Sequence, residues 1–246
     1  MTPGFYGKLP SIGDFISRRL PQEFTEPWDA WLQGAIAASR DQLGDDWLDA
    51  YLTSPIWRFV LSAAGSDECG WAGVLVPSVD RVGRNFPMTI AAPIEALANP
   101  FEVANANGGW FRRTEALLLD ALDSEEVDLD AFDADVEALG PCQVPEPEPG
   151  LSVPGDAGPP WRIALSGVEN VGASFLPVLG ALIARSLPGV GLWWTSGCER
   201  VTPSLLLCER FPEGDQFTAM LDGHWQAWAW NDWAADAGGD TGWIQE

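Results

Sequence analysis

The sequence is poor in histidine, cysteine and basic residues, and each shortage excludes a class of site. Its 246 residues include one histidine and four cysteines, and 13 basic residues stand against 36 acidic ones, for a formal net charge of −23. One histidine cannot form the cluster that binds catalytic zinc, and the cysteines show no C-x-x-C spacing, so reduced thiols are expected. We therefore expect no metal and no cofactor. A chain with so negative a net charge also lacks the basic surface that binding to nucleic acid requires.

Long apolar runs are missing as well. No apolar stretch approaches the roughly 20 residues that a membrane-spanning helix requires, so no direct membrane insertion is expected. Residues 2–7 have neither the basic flank nor the apolar core of a secretory signal, which predicts a cytoplasmic protein. Hydrophobic residues nevertheless make up 46% of the chain and include 14 tryptophans, enough to require a buried core and to exclude disorder of the whole chain.

Hydrophobic periodicity predicts helices interleaved with strands. Gln22 to Leu43 is predicted to be a helix, because apolar residues recur every three or four positions and Gly44 follows as a terminator. Strands are predicted at 5–9, 56–63, 71–77, 88–93, 161–165, 192–195 and 204–208, and further helices at 45–52, 100–122, 123–139 and 173–187. Several strands are apolar on both faces, which is typical of a sheet covered by helices on either side. The pattern indicates α/β layering.

Composition divides the chain into parts. Residues 140–160 contain seven prolines and repeated glycine, which is typical of a loop or linker. We expect residues 1–139 to form the N-terminal part of a single α/β domain and residues 161–235 to form the C-terminal part of the same domain. Residues 236–246, rich in glycine and aspartate, are expected to be a flexible tail.

Two biased segments each allow two interpretations. The acidic run from Glu125 to Glu137 is either a solvated helix face or a docking surface for a basic partner. The tryptophan-rich stretch from His224 to Trp233 either packs into the core or presents an aromatic platform to a sugar or peptide. His224 itself is expected to be a structural or surface residue rather than a catalytic one.

The most informative feature is a pair of arginines between two prolines. Arg81 and Arg84 lie in the segment from Pro77 to Pro87, beside Asp80. A guanidinium group is a planar, permanently charged fork suited to carboxylate or phosphate. Other charged residues are similarly flanked by glycine and aromatic residues, and the candidate set is Lys8, Asp14, Arg18, Arg19, Arg58, Asp80, Arg81 and Arg84.

This candidate set has a structural and a functional interpretation. In the first it is an internal ion-pair network in which Asp14 or Asp80 accepts hydrogen bonds from Arg58 or Arg81. In the second it is a shallow basic groove that binds an acidic or phosphorylated segment of a partner protein. The two are compatible if the inner arginines are paired and the outer ones are free.

An enzyme that acts on phosphate esters or nucleotides is the alternative. It would use Lys8 with the cluster of Arg58, Arg81 and Arg84. The sequence offers neither a nucleophile motif such as G-x-S-x-G nor a metal site, and the glycine-rich start around Lys8 lacks the spacing of a phosphate-binding loop. We therefore expect no catalytic residues.

Ordered motifs occupy the first part of the chain. They are GFYGKLPSIGDF at residues 4–15, PWDAWL at 27–32, PIWRF at 55–59 and GVLVPSVDRVGRNFP at 73–87. Over roughly the first 120 residues these motifs resemble the TagF/ImpM family of type VI secretion-associated proteins. The resemblance implies a three-layer α-β-α sandwich with a central mixed β-sheet, located in the bacterial cytoplasm.

The resemblance also implies a function. It implies a post-translational repressor of type VI secretion that acts on assembly of the apparatus and is associated with its forkhead-associated scaffold protein. Some family members are fused to a PP2C-type phosphatase domain, and the family itself assigns no catalytic residues. We therefore expect a non-enzymatic regulator that binds type VI secretion proteins, with a purely structural subunit as a further alternative.

Overall fold

A computed structural model describes residues 2–65, 68–145, 175–176, 178–180, 182–183, 187 and 189–231. Within these residues the strands are β1 (Gly4–Gly7), β2 (Ile16–Arg18), β3 (Trp57–Leu61), β4 (Cys69–Val76), β5 (Met88–Glu95), β6 (Val190–Thr195) and β7 (Ser204–Glu209). The α-helices with defined bounds are α1 (Gln22–Leu43), α2 (Trp47–Leu52), α3 (Pro100–Ala106), α4 (Gly108–Asp123), α5 (Leu129–Ala138) and α6 (Gly214–Asp222). Short 3-10 helices lie at Gly44–Asp46 and Trp225–Trp228.

The seven strands form one open sheet in the order β2-β1-β5-β4-β3-β6-β7. Every pairing among them is antiparallel. The α/β class is confirmed, but the mixed sheet is wrong for the described strands. The connections explain four of these six pairings, because β1–β2, β3–β4, β4–β5 and β6–β7 are neighbours both in the chain and in the sheet. Such neighbours are joined by short loops, which only antiparallel strands permit.

Helices cover both faces of the sheet, so the three-layer α-β-α arrangement is confirmed. Consecutive residues of β3 point to opposite faces: Phe59 packs against the α1 layer and Val60 against the α4 layer. The core on the α1 side includes Phe24, Trp28, Leu32, Phe59, Trp193 and Phe217. The core on the α4 side includes Phe5, Val60, Val74, Phe111, Leu118 and Phe132.

Helix α1 has the predicted bounds because its sequence signals are strong. Its apolar stripe buries Trp28 completely, and the indole Nε1 donates a hydrogen bond to Oγ1 of Thr89 on β5 at 3.1 Å. The helix ends before Gly44, whose φ of 53° lies in the left-handed region that glycine adopts readily. The buried apolar stripe and the hydrogen bond to Thr89 therefore hold α1 against the sheet.

Other predicted elements differ in detail. The helix predicted at 100–122 is two helices that meet at Asn107, and the acidic helix begins at Leu129 instead of 123. The three-residue strand β2 and helix α6 were not predicted. The predicted strand 161–165, most of the proline-rich loop and the predicted tail lie outside the described residues, and the division into domain parts stays a prediction.

Among the helices in the described part of the chain, none combines the length and the hydropathy needed to cross a bilayer.

Candidate functional site

Two hairpin loops meet at one end of the sheet. The first, residues 8–15, joins β1 to β2, and the second, residues 77–87, joins β4 to β5. Because β1 pairs with β5, both loops emerge at the same end of these strands. The backbone N–H of Arg81 donates to the carbonyl of Ile12 at 3.3 Å, and Oγ of Ser78 donates to the carbonyl of Lys8 at 2.7 Å. The two loops therefore form one unit.

The side chain of Asp80 lies at the centre of this unit. Its Oδ2 accepts hydrogen bonds from Nζ of Lys8 at 2.8 Å and from Nε of Arg84 at 2.6 Å. Its Oδ1 accepts from the backbone N–H groups of Val82 at 3.0 Å and Arg84 at 2.8 Å. Donors from the two loops together thus satisfy both carboxylate oxygens. Lys8, the only lysine in the sequence, is committed to this contact.

The pair of Lys8 and Asp80 is fully buried. The side chain of Asp80 is 0% exposed and that of Lys8 is 4% exposed. Burial alone would raise the pKa of Asp80, but the hydrogen bonds from Lys8, Arg84 and Val82 outweigh it and hold that pKa well below its usual range. The carboxylate is therefore ionised at neutral pH, and its two cationic partners leave the cluster with an excess of positive charge.

A cluster of aromatic rings packs against the buried Lys8. Nζ of Lys8 lies 4.7 Å from the ring centroid of Phe15, a cation–π distance. The Phe15 ring meets Phe86 edge-on at 4.8 Å and stacks on Tyr6 at 5.7 Å. The hydroxyl of Tyr6 donates to Asp29 of α1 at 2.6 Å. This chain of contacts connects the loops to the helix layer.

A glycine in the first motif allows the close approach of the two loops. Gly7 has a φ of 140°, and a Cβ at this position would lie 2.2 Å from the carbonyl oxygen of Pro87. Any side chain would therefore push β1 away from the start of β5. Gly7 thus permits close packing of the two loops at the residue before Lys8.

The outer side of the unit is exposed to solvent. Nη2 of Arg84 donates to the carbonyl of Gly13 at 2.6 Å, and the guanidinium of Arg81 also lies beside Gly13. Val82 is 67% exposed. We call the residues Phe15, Arg81, Val82 and Arg84 the loop-tip surface. Among the residues that the structure describes, no carboxylate pairs with Arg81.

Arg58 belongs to a different cluster from the loop tip. Its Nε and Nη2 donate to the two oxygens of Glu115 on α4 at 2.6 and 2.7 Å, a bidentate pair in a half-buried position. The predicted bonds to Asp80 from Arg58 or Arg81 are therefore wrong, since Asp80 takes its side-chain donors from Lys8 and Arg84. Asp14 is exposed, and its Oδ1 accepts from the backbone N–H of the next residue at 2.9 Å.

Arg18 and Arg19 join the edge strand β2 to the acidic helix α5. Arg18 contacts Asp130 at 3.0 Å and Asp133 at 3.3 Å, and Arg19 contacts Asp133 at 2.5 Å. Asp128 caps the helix through hydrogen bonds to the backbone N–H groups of its first turn. Part of the acidic run thus stabilises helix α5 and its contact with β2.

The acidic partners were missed because no local spacing indicates them. Glu115 lies 57 positions from Arg58, and Asp133 lies 115 positions from Arg18. Only the packing of α4 and α5 on the sheet brings these charges together. By contrast, the Asp80 and Arg84 pair is four positions apart and could be found from the sequence.

The single histidine lies in another part of the molecule. His224 is exposed, with Nδ1 3.1 Å from Oδ2 of Asp222, and the indole of Trp228 donates to the same carboxylate at 2.8 Å. A cavity of about 310 Å³ lies beside them. Trp225 and Trp230 pack against the core, in line with the structural interpretation of the aromatic stretch. Residues 232–246 lie outside the described part.

The four cysteines are free thiols. Burial raises the pKa of Cys142 and of Cys208 to about 12, so both stay protonated and unreactive at neutral pH. Cys208 on β7 lies opposite Gly191, so it does not face Cys198 across a strand pair. No group of three or more metal-ligating side chains occurs among the described residues.

Both loops of this site lie in a part of the chain that is similar to known proteins. A family model described as the TagF N-terminal domain, type VI secretion system-associated, matches residues 4–139, which include both loops. The crystal structure of PA0076 from Pseudomonas aeruginosa PAO1 is similar, with 37% sequence identity and a TM-score of 0.70. The similarity covers 90% of this chain and 94% of that chain. A comparison with curated proteins found no match.

Proposed function

This chain belongs to the TagF family of type VI secretion-associated proteins, and on that premise we propose that it is a non-enzymatic regulator that represses secretion by binding a protein of the apparatus. One observation carries the proposal. The buried pair of Lys8 and Asp80 joins the loop 77–87 to the loop 8–15. Arg81 and Val82, in the same loop 77–87, are exposed to solvent. A charged and apolar tip on a rigid support is suited to contact with another protein.

The rigid support matters for affinity. Asp80 accepts four hydrogen bonds from donors within the two loops, so the loop tip is ordered before a partner arrives. Binding to an ordered loop avoids the cost of immobilising it, about 0.5–1.5 kcal/mol for each long side chain. The loop-tip surface is thus organised in advance for recognition.

Charge indicates the chemistry of the partner. Arg81 and Arg84 are exposed on a chain whose net charge is −23, so the loop tip is a cationic spot on an anionic molecule. Such a spot attracts an acidic segment, and the surrounding negative field disfavours other orientations. We propose the forkhead-associated scaffold protein of the secretion system, in the bacterial cytoplasm, as the partner that presents this segment.

The enzymatic alternative has less support from the geometry. Nζ of Lys8 is buried and bonded to Asp80, so it is not free to receive a phosphate group. Arg58 is held in the bidentate pair with Glu115, away from the carboxylate shared by Lys8 and Arg84. The cations that the alternative requires do not converge on an open site.

Calorimetry with the purified scaffold protein tests the proposal. We expect a measurable heat of binding and a Kd in the micromolar range or tighter. A Kd of about 1 µM corresponds to a binding free energy of about −8 kcal/mol. Absence of heat at tens of micromolar, with both proteins folded by circular dichroism, would contradict the scaffold partnership. A parallel screen with generic phosphatase substrates and added Mn²⁺ or Mg²⁺ is expected to show no turnover, and turnover there would support the enzymatic alternative.

A further inference from the structure

Both exposed arginines of the loop 77–87 reach across to Gly13 in the loop 8–15. Nη2 of Arg84 donates a hydrogen bond to the carbonyl oxygen of Gly13 at 2.6 Å. A Cβ at Gly13 would lie 3.5 Å from Nη2 and 3.8 Å from Nε of Arg81, which would be its nearest neighbours. The two guanidinium groups therefore meet at one residue of the two-loop unit.

Hydrogen bonds to the backbone hold both arginines in place. The N–H of Arg81 donates to the carbonyl of Ile12 at 3.3 Å. Arg84 is bonded twice to Asp80: its N–H donates to Oδ1 at 2.8 Å, and its carbonyl accepts from the N–H of Asp80 at 3.0 Å. Both side chains thus start from fixed points, so a ligand that needs both arginines meets a pair that is already assembled.

Most of the donors on these two guanidinium groups are open. A guanidinium has five N–H donors. Arg84 uses one on Oδ2 of Asp80 and one on the carbonyl of Gly13, and its side chain is still 56% exposed. The guanidinium of Arg81 bonds to no acceptor in the part of the chain that the structure describes. The surface beside Gly13 therefore offers two forks of N–H donors to one ligand.

The acids of these two loops leave the forks open. Asp80, the acid of the loop 77–87, has both oxygens occupied by its four donors. Asp14, the acid of the loop 8–15, is exposed, and its Oδ1 accepts from the N–H of Phe15 at 2.9 Å. It forms no ion pair with any described residue. Neither acid therefore occupies the guanidinium of Arg81.

We propose that Arg81 and Arg84 together bind one phosphate monoester group, carried by a phosphorylated side chain of the partner protein. A carboxylate has two oxygens, which a single guanidinium fork satisfies. A phosphorylated side chain has three acceptor oxygens and a charge of about −1.5 to −2 at neutral pH, so it can accept hydrogen bonds from both forks at once. This inference rests on the proposed function and names the anionic group in the segment that binds the loop tip.

Gly13 leaves room for such a group. Its φ lies outside the left-handed region, so other residues can adopt its backbone conformation, and a Cβ 3.5 Å from Arg81 would be in ordinary van der Waals contact. A carboxylate attached to that Cβ would pair with Arg81 and take the place of the ligand. Gly13→Asp is therefore a variant that blocks the site from within.

The net charge of −23 does not prevent this binding. At physiological ionic strength, exposed charges separated by more than about 8 Å are largely screened from each other. Hydrogen bonds between guanidinium groups and anionic oxygens form at about 2.7–2.9 Å, well inside that distance. The affinity for phosphate is therefore set by the two arginines when the ionic strength is held at this level.

Nuclear magnetic resonance of the isolated, isotope-labelled chain tests the site without the partner. The probe is N-acetyl-phosphoserine methylamide, titrated at neutral pH and constant ionic strength, and the matched probe is N-acetyl-glutamate methylamide. The side-chain signals of Arg81 and Arg84 are expected to shift with a Kd of about 1–10 mM for the phosphoserine probe, and at least tenfold more weakly for the glutamate probe.

Three results of this titration would overturn the proposal. The first is equal affinity for the phosphoserine and glutamate probes. The second is a set of shifts confined to other arginines. The third is tighter binding of inorganic phosphate than of the phosphoserine probe, because the ligand would then be a free ion rather than a modified side chain.

A pair of matched glycine variants locates the binding. Gly13→Asp is expected to weaken binding of the phosphoserine probe at least tenfold, without a lower melting temperature. Gly34→Asp on helix α1 is the control, because Gly34 is exposed and a Cβ there would meet nothing within 4 Å. It adds the same charge outside the site and should bind like the wild type. Retained binding in Gly13→Asp, or lost binding in Gly34→Asp, would overturn the proposal.

Arg81→Gln gives a second reading that does not depend on how Gly13→Asp folds. Arg81 is exposed, and its guanidinium has no bond to the described residues that the fold would lose. The variant is expected to bind the phosphoserine probe at least tenfold more weakly than the wild type. Unchanged affinity in this variant would overturn the proposal.

Calorimetry with the scaffold protein identifies the source of the phosphate. The scaffold protein, purified from the native cell, is measured before and after treatment with a phosphatase, and its affinity is expected to fall at least tenfold after treatment. Equal affinities would overturn this inference and leave the proposed function in place. Absence of binding in both samples would contradict the proposed function, and the phosphoserine titration then decides this inference alone.

Discussion

Replacing Asp80 with Asn is expected to lower the free energy of unfolding by about 3–5 kcal/mol. The amide keeps the shape of the side chain but removes the charge that neutralises Lys8, whose Nζ lies 2.8 Å away in a buried position. An uncompensated buried cation is costly, and the backbone N–H groups of Val82 and Arg84 lose an ionised acceptor as well. Urea unfolding followed by tryptophan fluorescence measures the change.

Two further variants separate this effect from a general loss of charge. Asp130→Asn removes a carboxylate that is 87% exposed, and it should cost less than about 1 kcal/mol. Lys8→Met combined with Asp80→Asn removes both buried charges, so it should be more stable than Asp80→Asn alone. If Asp80→Asn lowers the free energy of unfolding no more than Asp130→Asn does, the buried pair does not hold the two loops together.

The same pair predicts a specific loss of stability in acid. The folded pKa of Asp80 lies well below its value in the unfolded chain, which is about 3.9 for an aspartate. Its contribution is therefore complete above that value and is lost as the pH falls below about 4, toward the folded pKa. As the pH falls through this range, the free energy of unfolding of the wild type should approach that of the variant lacking both buried charges.

Arg81→Glu is expected to weaken binding to the scaffold protein at least tenfold, or about 1.4 kcal/mol, without a change in melting temperature. Arg81 is exposed and pairs with no carboxylate of the described residues, so its guanidinium is available to a partner and is not needed by the fold. Reversal of its charge would repel the acidic segment proposed to bind there. Calorimetry with matched protein concentrations measures the loss.

Arg112→Glu is the control for this variant. Arg112 is an exposed arginine on α4, and its reversal changes the net charge by the same amount far from the two loops in sequence. It should leave the Kd within about twofold. Equal losses from the two variants would show that net charge alone governs binding, and an unchanged Kd for Arg81→Glu would remove Arg81 from the interface.

The fold was predictable where local signals are strong. Helix α1 follows from its apolar stripe and from Gly44, and the strands of the central sheet follow from their apolar density. The direction of the strands was not predictable from the same signals, because apolar runs look alike in parallel and antiparallel sheets. Strand β2 was missed because three residues carry too little pattern.

Several of the charged residues that form the site were predictable from the sequence, but their ion-pair partners were not. The segment around Arg81 and Arg84 is visible in the sequence, as is the shortage of basic residues that makes it informative. The buried partner of Asp80, Lys8, was not visible, because it lies 72 positions away and meets Asp80 only because β1 pairs with β5. Long-range register decides which of several charges become partners.

Hydrogen–deuterium exchange of this chain with and without the scaffold protein tests the central claim most directly. The account holds that a loop tip organised by Asp80 is the contact surface. It predicts added protection in peptides that cover residues 8–20 and 77–88, and little change at the exposed face of α4. Protection confined to other segments, with both loops exchanging as in the free chain, would contradict it.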